Sequence, residues 1–224
     1  MTNLIPYLKY FFYLGTNWNW RLAVVLILQE IKGEKKYGIN TTGADELNDL
    51  ADTGVDISNA TIYMPISYPL LENVLTLIPE NAKNHFLDIG CGKGRALCIA
   101  AYHGFKKISG VDFSATFCAD AIENLQRITT KKNGFQQSIV HENILHYQIP
   151  ADVDCLFLFN PFDEKLVLHL VNDIKRSLLI NPRSMYIIYA NPLYIQLFFN
   201  EGFEQIFHAK KMKYFEVSIM TINT

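Results

Sequence analysis

Residues 88–95 read Asp88-Ile89-Gly90-Cys91-Gly92-Lys93-Gly94-Arg95, with a short apolar run (85–89) leading in and an Ala- and Leu-rich run (95–103) leading out. Three glycines at alternate positions between a strand and a helix admit a tight turn in which a ligand can press against bare backbone. The N–H groups that open the following helix favour an electron-rich group there. A strand that feeds a helix through such a turn belongs to a mainly parallel sheet, whose ligands sit at the carboxyl ends of the strands.

The rest of the chain fits that arrangement. Strands are expected at 85–89, 107–112, 137–141, 153–159 and 185–190, with helices at 95–103, 115–128, 163–178 and 192–200 between and after them. The nearly unbroken apolar run 153–159 suits the buried centre of a parallel sheet. Residues 203–209 and 214–222 read as a closing antiparallel hairpin, connected through 210–213. Upstream, 4–14 and 18–31 read as helices separated by Gly15-Thr16-Asn17, with Asn17 as a cap and Gly33 as the stop of the second. Short helices are expected to start near Asp45 and near residue 57, and a further helix over 68–77. The expected fold is α/β: a Rossmann-like, doubly wound, mostly parallel seven-stranded sheet with a C-terminal antiparallel hairpin. A helical N-terminal extension (1–62) precedes the ligand-binding domain (63–224).

Composition excludes several classes. Half of the 224 residues are hydrophobic and 19% are charged, which is globular rather than disordered. A net charge of −2 sets up no global field toward nucleic acid or an anionic membrane, and basic pairs such as Lys35-Lys36 and Lys210-Lys211 read as solvated. The longest uninterrupted apolar run, 22–28, is far short of the ~20 residues a bilayer requires. The opening apolar stretch lacks a basic lead-in, so it does not read as a secretion signal. Cys91, Cys98, Cys118 and Cys155 form no C-x-x-C pair and no metal-ligand spacing, so reduced thiols and no metal are expected. A cytoplasmic protein with no membrane partner is the expectation.

The spacing of the loop discriminates between nucleotides. A dinucleotide fingerprint, G-x-G-x-x-G/A, needs a small residue where this chain has Arg95. The pattern here, an acid followed by x-G-x-G-x-G, resembles the first motif of the class I S-adenosylmethionine-dependent methyltransferases. That resemblance implies S-adenosylmethionine as cofactor, its methionine part held by Asp88, Gly90, Cys91, Gly92 and Gly94. Asp112 ends the next apolar run, where a carboxylate can accept two hydrogen bonds from ribose hydroxyls. By the same resemblance Asn143, or Glu142 beside it, lies where the family contacts the adenine amine.

Phe159-Asn160-Pro161-Phe162 resembles the [DN]-P-P-[YF] motif of methyltransferases that act on planar amines, with one proline fewer and the aromatic one place early. It implies that Asn160 and the Pro161 segment hold the acceptor amine and that Phe162 flanks it. Tyr63-Met64-Pro65, with Tyr68 after it, is similar to segments that close over the cofactor in lysine methyltransferases of the non-SET type, so Tyr63 and Tyr68 join the candidate site. The expected activity is methyl transfer to an amine nitrogen of a protein or small molecule. Nucleic acid is less favoured by the acidic balance. An NAD(P)-binding reductase and a non-catalytic nucleotide-binding module are the alternatives.

Overall fold

The computed structural model describes residues 4–43, 65–132, 134–159, 162–211 and 215–222. Its centre is β1 (His85–Ile89), buried at every position. It pairs in parallel with β2 (Lys107–Asp112) on one side and β4 (Cys155–Phe159) on the other. β3 (Gln136–His141) lies outside β2, and β5 (Met185–Ala190) outside β4, both parallel. β7 (Phe215–Ile222) then inserts antiparallel between β5 and β6 (Glu204–Lys211), giving the order 3-2-1-4-5-7-6. The order reverses between β1 and β4. A crevice must open there at the carboxyl edge, because the helices after these two strands leave in opposite directions.

Seven α-helices surround this sheet among the described residues: α1 (Ile5–Asn17), α2 (Trp20–Tyr37), α3 (Tyr68–Thr76), α4 (Arg95–Tyr102), α5 (Ala115–Thr129), α6 (Glu164–Ile180) and α7 (Ile195–Asn200). Two apolar cores result, one on each face. Phe86, Leu97 and Leu125 belong to the first; Leu87, Leu156 and Leu170 belong to the second. Alternate residues of β1 thus feed opposite layers, as a central strand requires.

The expected sheet and terminal hairpin are present. The helix ends differ from expectation in two places. Asn19, not Asn17, caps α2, its Oδ1 accepting from the N–H groups of Arg21 and Leu22. Gly33 does not stop α2, which runs on to Tyr37 and ends at Gly38 with φ 75°. Gly33 has a packing role instead, since a Cβ there would lie 2.3 Å from the ring of Tyr68. The helices expected near Asp45 and residue 57 and the 210–213 connection fall wholly or partly outside the described residues.

The N-terminal helices are bound to the sheet domain by a buried polar cluster. Arg95 opens α4, directly after the glycine loop, and is buried together with Glu30 of α2. Its guanidinium reaches both oxygens of Glu30, with Nη1 at 2.8 Å from Oε1. It also donates to the Ile66 carbonyl and to Thr41 Oγ1 and lies 4.1 Å from the centre of the Tyr68 ring. Glu34, one turn after Glu30, accepts from the N–H groups of Thr41 and Thr42 and from the Tyr7 hydroxyl. Each buried charge is therefore met by donors or by its counter-ion, the condition under which burial is tolerated.

Removing one member of such a pair leaves the other buried and uncompensated. Arg95→Ala is expected to cost about 3–5 kcal/mol of stability. In denaturant titration the double variant Glu30→Met/Arg95→Met should be more stable than Arg95→Ala. Losses that simply add across Glu30→Met and Arg95→Met would refute the coupling.

Candidate functional site

The glycine loop lies at the carboxyl end of β1. Gly90, Gly92 and Gly94 all have left-handed φ, at 73°, 50° and 79°, so side chains at these positions would strain the turn. The loop is held in shape by its own bonds. The N–H groups of Gly90 and Cys91 donate to the Val111 carbonyl at 2.9 and 3.1 Å, and that of Gly94 to the Cys91 carbonyl at 2.8 Å. Cys91 is buried, and burial drives its thiol well above the ordinary range, so it serves as packing and not as a nucleophile. All four cysteines are free and buried. Among the described residues no group of three His, Cys, Asp or Glu side chains has metal-ligand geometry.

Asp112, at the carboxyl end of β2, is buried beside this loop. Oδ2 accepts from the Gly92 N–H at 2.8 Å and Oδ1 from the Ser114 N–H at 2.9 Å. Burial pushes its carboxyl above the ordinary carboxylate range, and backbone donors oppose the rise. Backbone N–H groups of Gly92, Ser114 and Phe113 are directed at this carboxylate, which offers roughly four acceptor positions in all. Asp88 is also buried, in β1. Burial, reinforced by the Asp112 charge, pushes its carboxyl well above the ordinary carboxylate range. Two acids thus share one end of the crevice, an arrangement that a cation would relieve.

The remaining candidates are placed differently. Asn143 follows β3 and is exposed, its Oδ1 accepting from the Leu145 N–H at 3.0 Å. The preceding residue, Glu142, donates its N–H to the Asp112 carbonyl, so this turn borders the same end of the sheet. Tyr68 is buried in the polar cluster behind the loop, its hydroxyl 2.9 Å from Thr41 Oγ1. Phe162 packs in the second core, and Asp163 caps α6 by accepting from the Leu166 N–H at 2.9 Å. Tyr63, Asn160 and Pro161 lie outside the described residues.

Sequence reading missed the neighbouring pocket. Where β4 and β5 end, Phe159 and Ala190 meet Tyr10, Trp18 and Leu26 of the N-terminal helices and Phe215 of β7. This pocket holds about 20 Å³ of free space, room for roughly one water. It shares Leu26, Ser67, Leu70 and Phe215 with a wider groove of about 250 Å³ between α2 and α3. The charged residues lining the two are Glu30 and Glu216, both acids. A signal for Glu30 was present: Glu30 and Glu34 are the sole acids in the first 43 residues, and they recur at i, i+4 on the helix face occupied by Leu26.

With this geometry in view, comparisons with known proteins are informative. Residues 86–179 match a family model described as a methyltransferase domain. No curated protein matches the sequence. Among solved structures, an S-adenosylmethionine-dependent methyltransferase from Aquifex aeolicus superposes with a TM-score of 0.55, at 13% identity over 80% of this chain and 99% of that one. An RNA methyltransferase from Salinibacter ruber, in complex with S-adenosylhomocysteine, gives 0.52 at 13% identity, covering 71% and 94%. A TehB-like methyltransferase from Corynebacterium glutamicum gives 0.51 at 16%, covering 77% and 92%. At these identities the solved structures establish the fold.

The buried acids have a consequence for stability. The folded chain keeps a proton on Asp88 that the unfolded chain releases near pH 4, so stability falls as pH rises from there toward the raised value. Asp88→Asn should therefore raise the melting temperature of the ligand-free protein at neutral pH and flatten much of that decline. A variant that melts lower at neutral pH would contradict the shared-acid geometry.

Proposed function

We propose that this chain, a class I S-adenosylmethionine-dependent methyltransferase by its matched domain and its sheet order, methylates an amine nitrogen of a protein or small molecule. The observation that carries the amine reading is the sequence at the end of β4, where Phe159-Asn160-Pro161-Phe162 resembles amine-directed motifs. The neighbouring pocket is lined by aromatic and apolar side chains, and its two carboxylates, Glu30 and Glu216, are paired with Arg95 and Lys210.

The residues of the loop fit the cofactor. Its sugar hydroxyls suit the carboxylate of Asp112 at the end of β2, its ammonium group suits the buried carboxyl of Asp88, and the glycines leave backbone open to contact. When bound, S-adenosylmethionine supplies a methyl group already activated on a sulfonium. The task of the protein is then to bring a neutral amine into line and to exclude water. Phe159, Trp18 and Phe215 wall off solvent, and aromatic faces stabilise the positive charge that grows on nitrogen as it is alkylated. Asn160 follows Phe159 directly and is assigned to hold the amine. No strong base is required of the protein for an amine that arrives neutral.

Titration calorimetry should show binding of S-adenosylmethionine and S-adenosylhomocysteine but not of NADH. Asp112→Ala and Gly92→Val should each abolish it, the first by removing ribose contacts and the second by blocking backbone approach. Unchanged affinity in both variants would overturn the site. Asn160→Ala should bind S-adenosylhomocysteine normally and lose turnover. With a labelled methyl donor, label should pass to amines in a panel of polyamines, arylamines and lysine-rich proteins. Label found on nucleic acid or on oxygen would refute the amine assignment.

A further inference from the structure

The outward faces of α1 and α2 are strongly apolar. Ile5, Leu8, Phe12, Trp20, Val24 and Leu28 are each between 48 and 61% exposed. On α1 these positions recur at i, i+3 and i+7, and on α2 at i, i+4 and i+8, so each helix carries one stripe. The opposite stripes, with Tyr10, Leu14, Leu22 and Leu26, are buried between the helices and the domain. The two exposed stripes form one surface, because Phe12 of α1 meets Trp20 of α2 edge-on at 6.1 Å between ring centres. Contiguous exposed apolar area of this kind marks an interaction site.

The exposed charges that α1 and α2 themselves carry have one sign. Lys9, Arg21, Lys32, Lys35 and Lys36 are all exposed, and of these Lys36 is paired with Glu72 of α3. The acids of these helices, Glu30 and Glu34, are both buried in the cluster with Arg95. The N-terminal helices therefore present lysine, arginine and hydrocarbon outward, although the whole chain carries a net charge of −2.

We infer that this face docks the protein on an anionic lipid bilayer, with α1 and α2 lying in the plane of the interface. An apolar stripe flanked by basic residues, with an aromatic ring at its centre, is the composition that partitions between headgroups and acyl chains. Charge complementarity selects this occupant over a second copy of the chain. A two-fold interface would bring the same basic residues of both copies together with no exposed acid of these helices between them. No helix among the described residues is long and apolar enough to cross a membrane, so the mode is lying on the surface. Val25 belongs both to the exposed face and to the wall of the groove, so docking brings one side of the groove to the lipid surface. This inference is independent of the methyl-transfer reading.

Flotation of the purified full chain with vesicles is the test. The protein should rise with vesicles of equal parts phosphatidylcholine and phosphatidylglycerol, stay behind with phosphatidylcholine alone, and be released by high salt. Phe12→Ser/Leu28→Ser and Lys32→Glu/Lys35→Glu should each lower partitioning by at least about tenfold, with melting curves like that of the parent. If the first pair unfolds the protein, the charge-reversed pair, which replaces solvent-facing lysines, decides alone. Absence of flotation with anionic vesicles, or charge-reversed protein that floats as well as the parent, would overturn the proposal. So would light scattering that shows a dimer converted to monomer by Phe12→Ser/Leu28→Ser, since a second copy would then cover the face.

Discussion

The buried pairing of Arg95 with Glu30 is the contact on which the rest of this molecule depends. Arg95 is the first residue of the helix that leaves the glycine loop, and Glu30 sits deep in the second helix of the N-terminal pair. One side chain therefore joins the glycine loop to the wall of the pocket at the ends of β4 and β5. The geometry is two-pronged and is backed by Thr41, Thr42, Tyr68 and the Ile66 carbonyl, so the pair fixes orientation as well as distance. A hydrophobic contact in the same place would hold the helices against the sheet with less control over rotation. Asn124 of α5 adds a second tie, donating to the carbonyls of Asn40 and Lys93 while accepting from the Asn40 N–H.

A second electrostatic feature runs the other way. Asp88 and Asp112 stand together at the carboxyl edge, and burial raises both carboxyls. The cluster around Arg95 satisfies its charges with an opposite charge, whereas Asp112 is met by backbone N–H groups and reinforces the rise at Asp88.

The sheet was legible because its strands are short apolar runs punctuated by glycine and polar turns, and their parallel order follows from the helical patterns between them. The loop was legible because three alternating glycines leave few other uses. Arg95 was legible only in part. Its size argued against a dinucleotide, but its partner lies far back in the sequence and nothing local points to it. Gly33 shows the same limit: read locally it is a helix stop, yet its role is to let the Tyr68 ring approach the α2 backbone. Tyr68 and Phe162 carried motif resemblances, and the fold places both side chains in packing. Net charge says nothing of distribution: a total of −2 averages over a chain whose first two helices expose basic residues and bury their acids.

The position of β7 has a consequence for how the chain is made. β6 pairs with β7, and β7 pairs with β5, so β6 has no place in the sheet until the later strand has been inserted between them. During synthesis the edge of β5 waits unpaired while β6 and its connection emerge, a period in which a sheet edge is open to misassociation. Phe215 and Glu216, which line the pocket at the ends of β4 and β5, arrive with β7. A nascent chain released short of it would carry the glycine loop and both acids yet lack a finished pocket wall. The order of translation thereby delays completion of this pocket until β7 has joined the sheet.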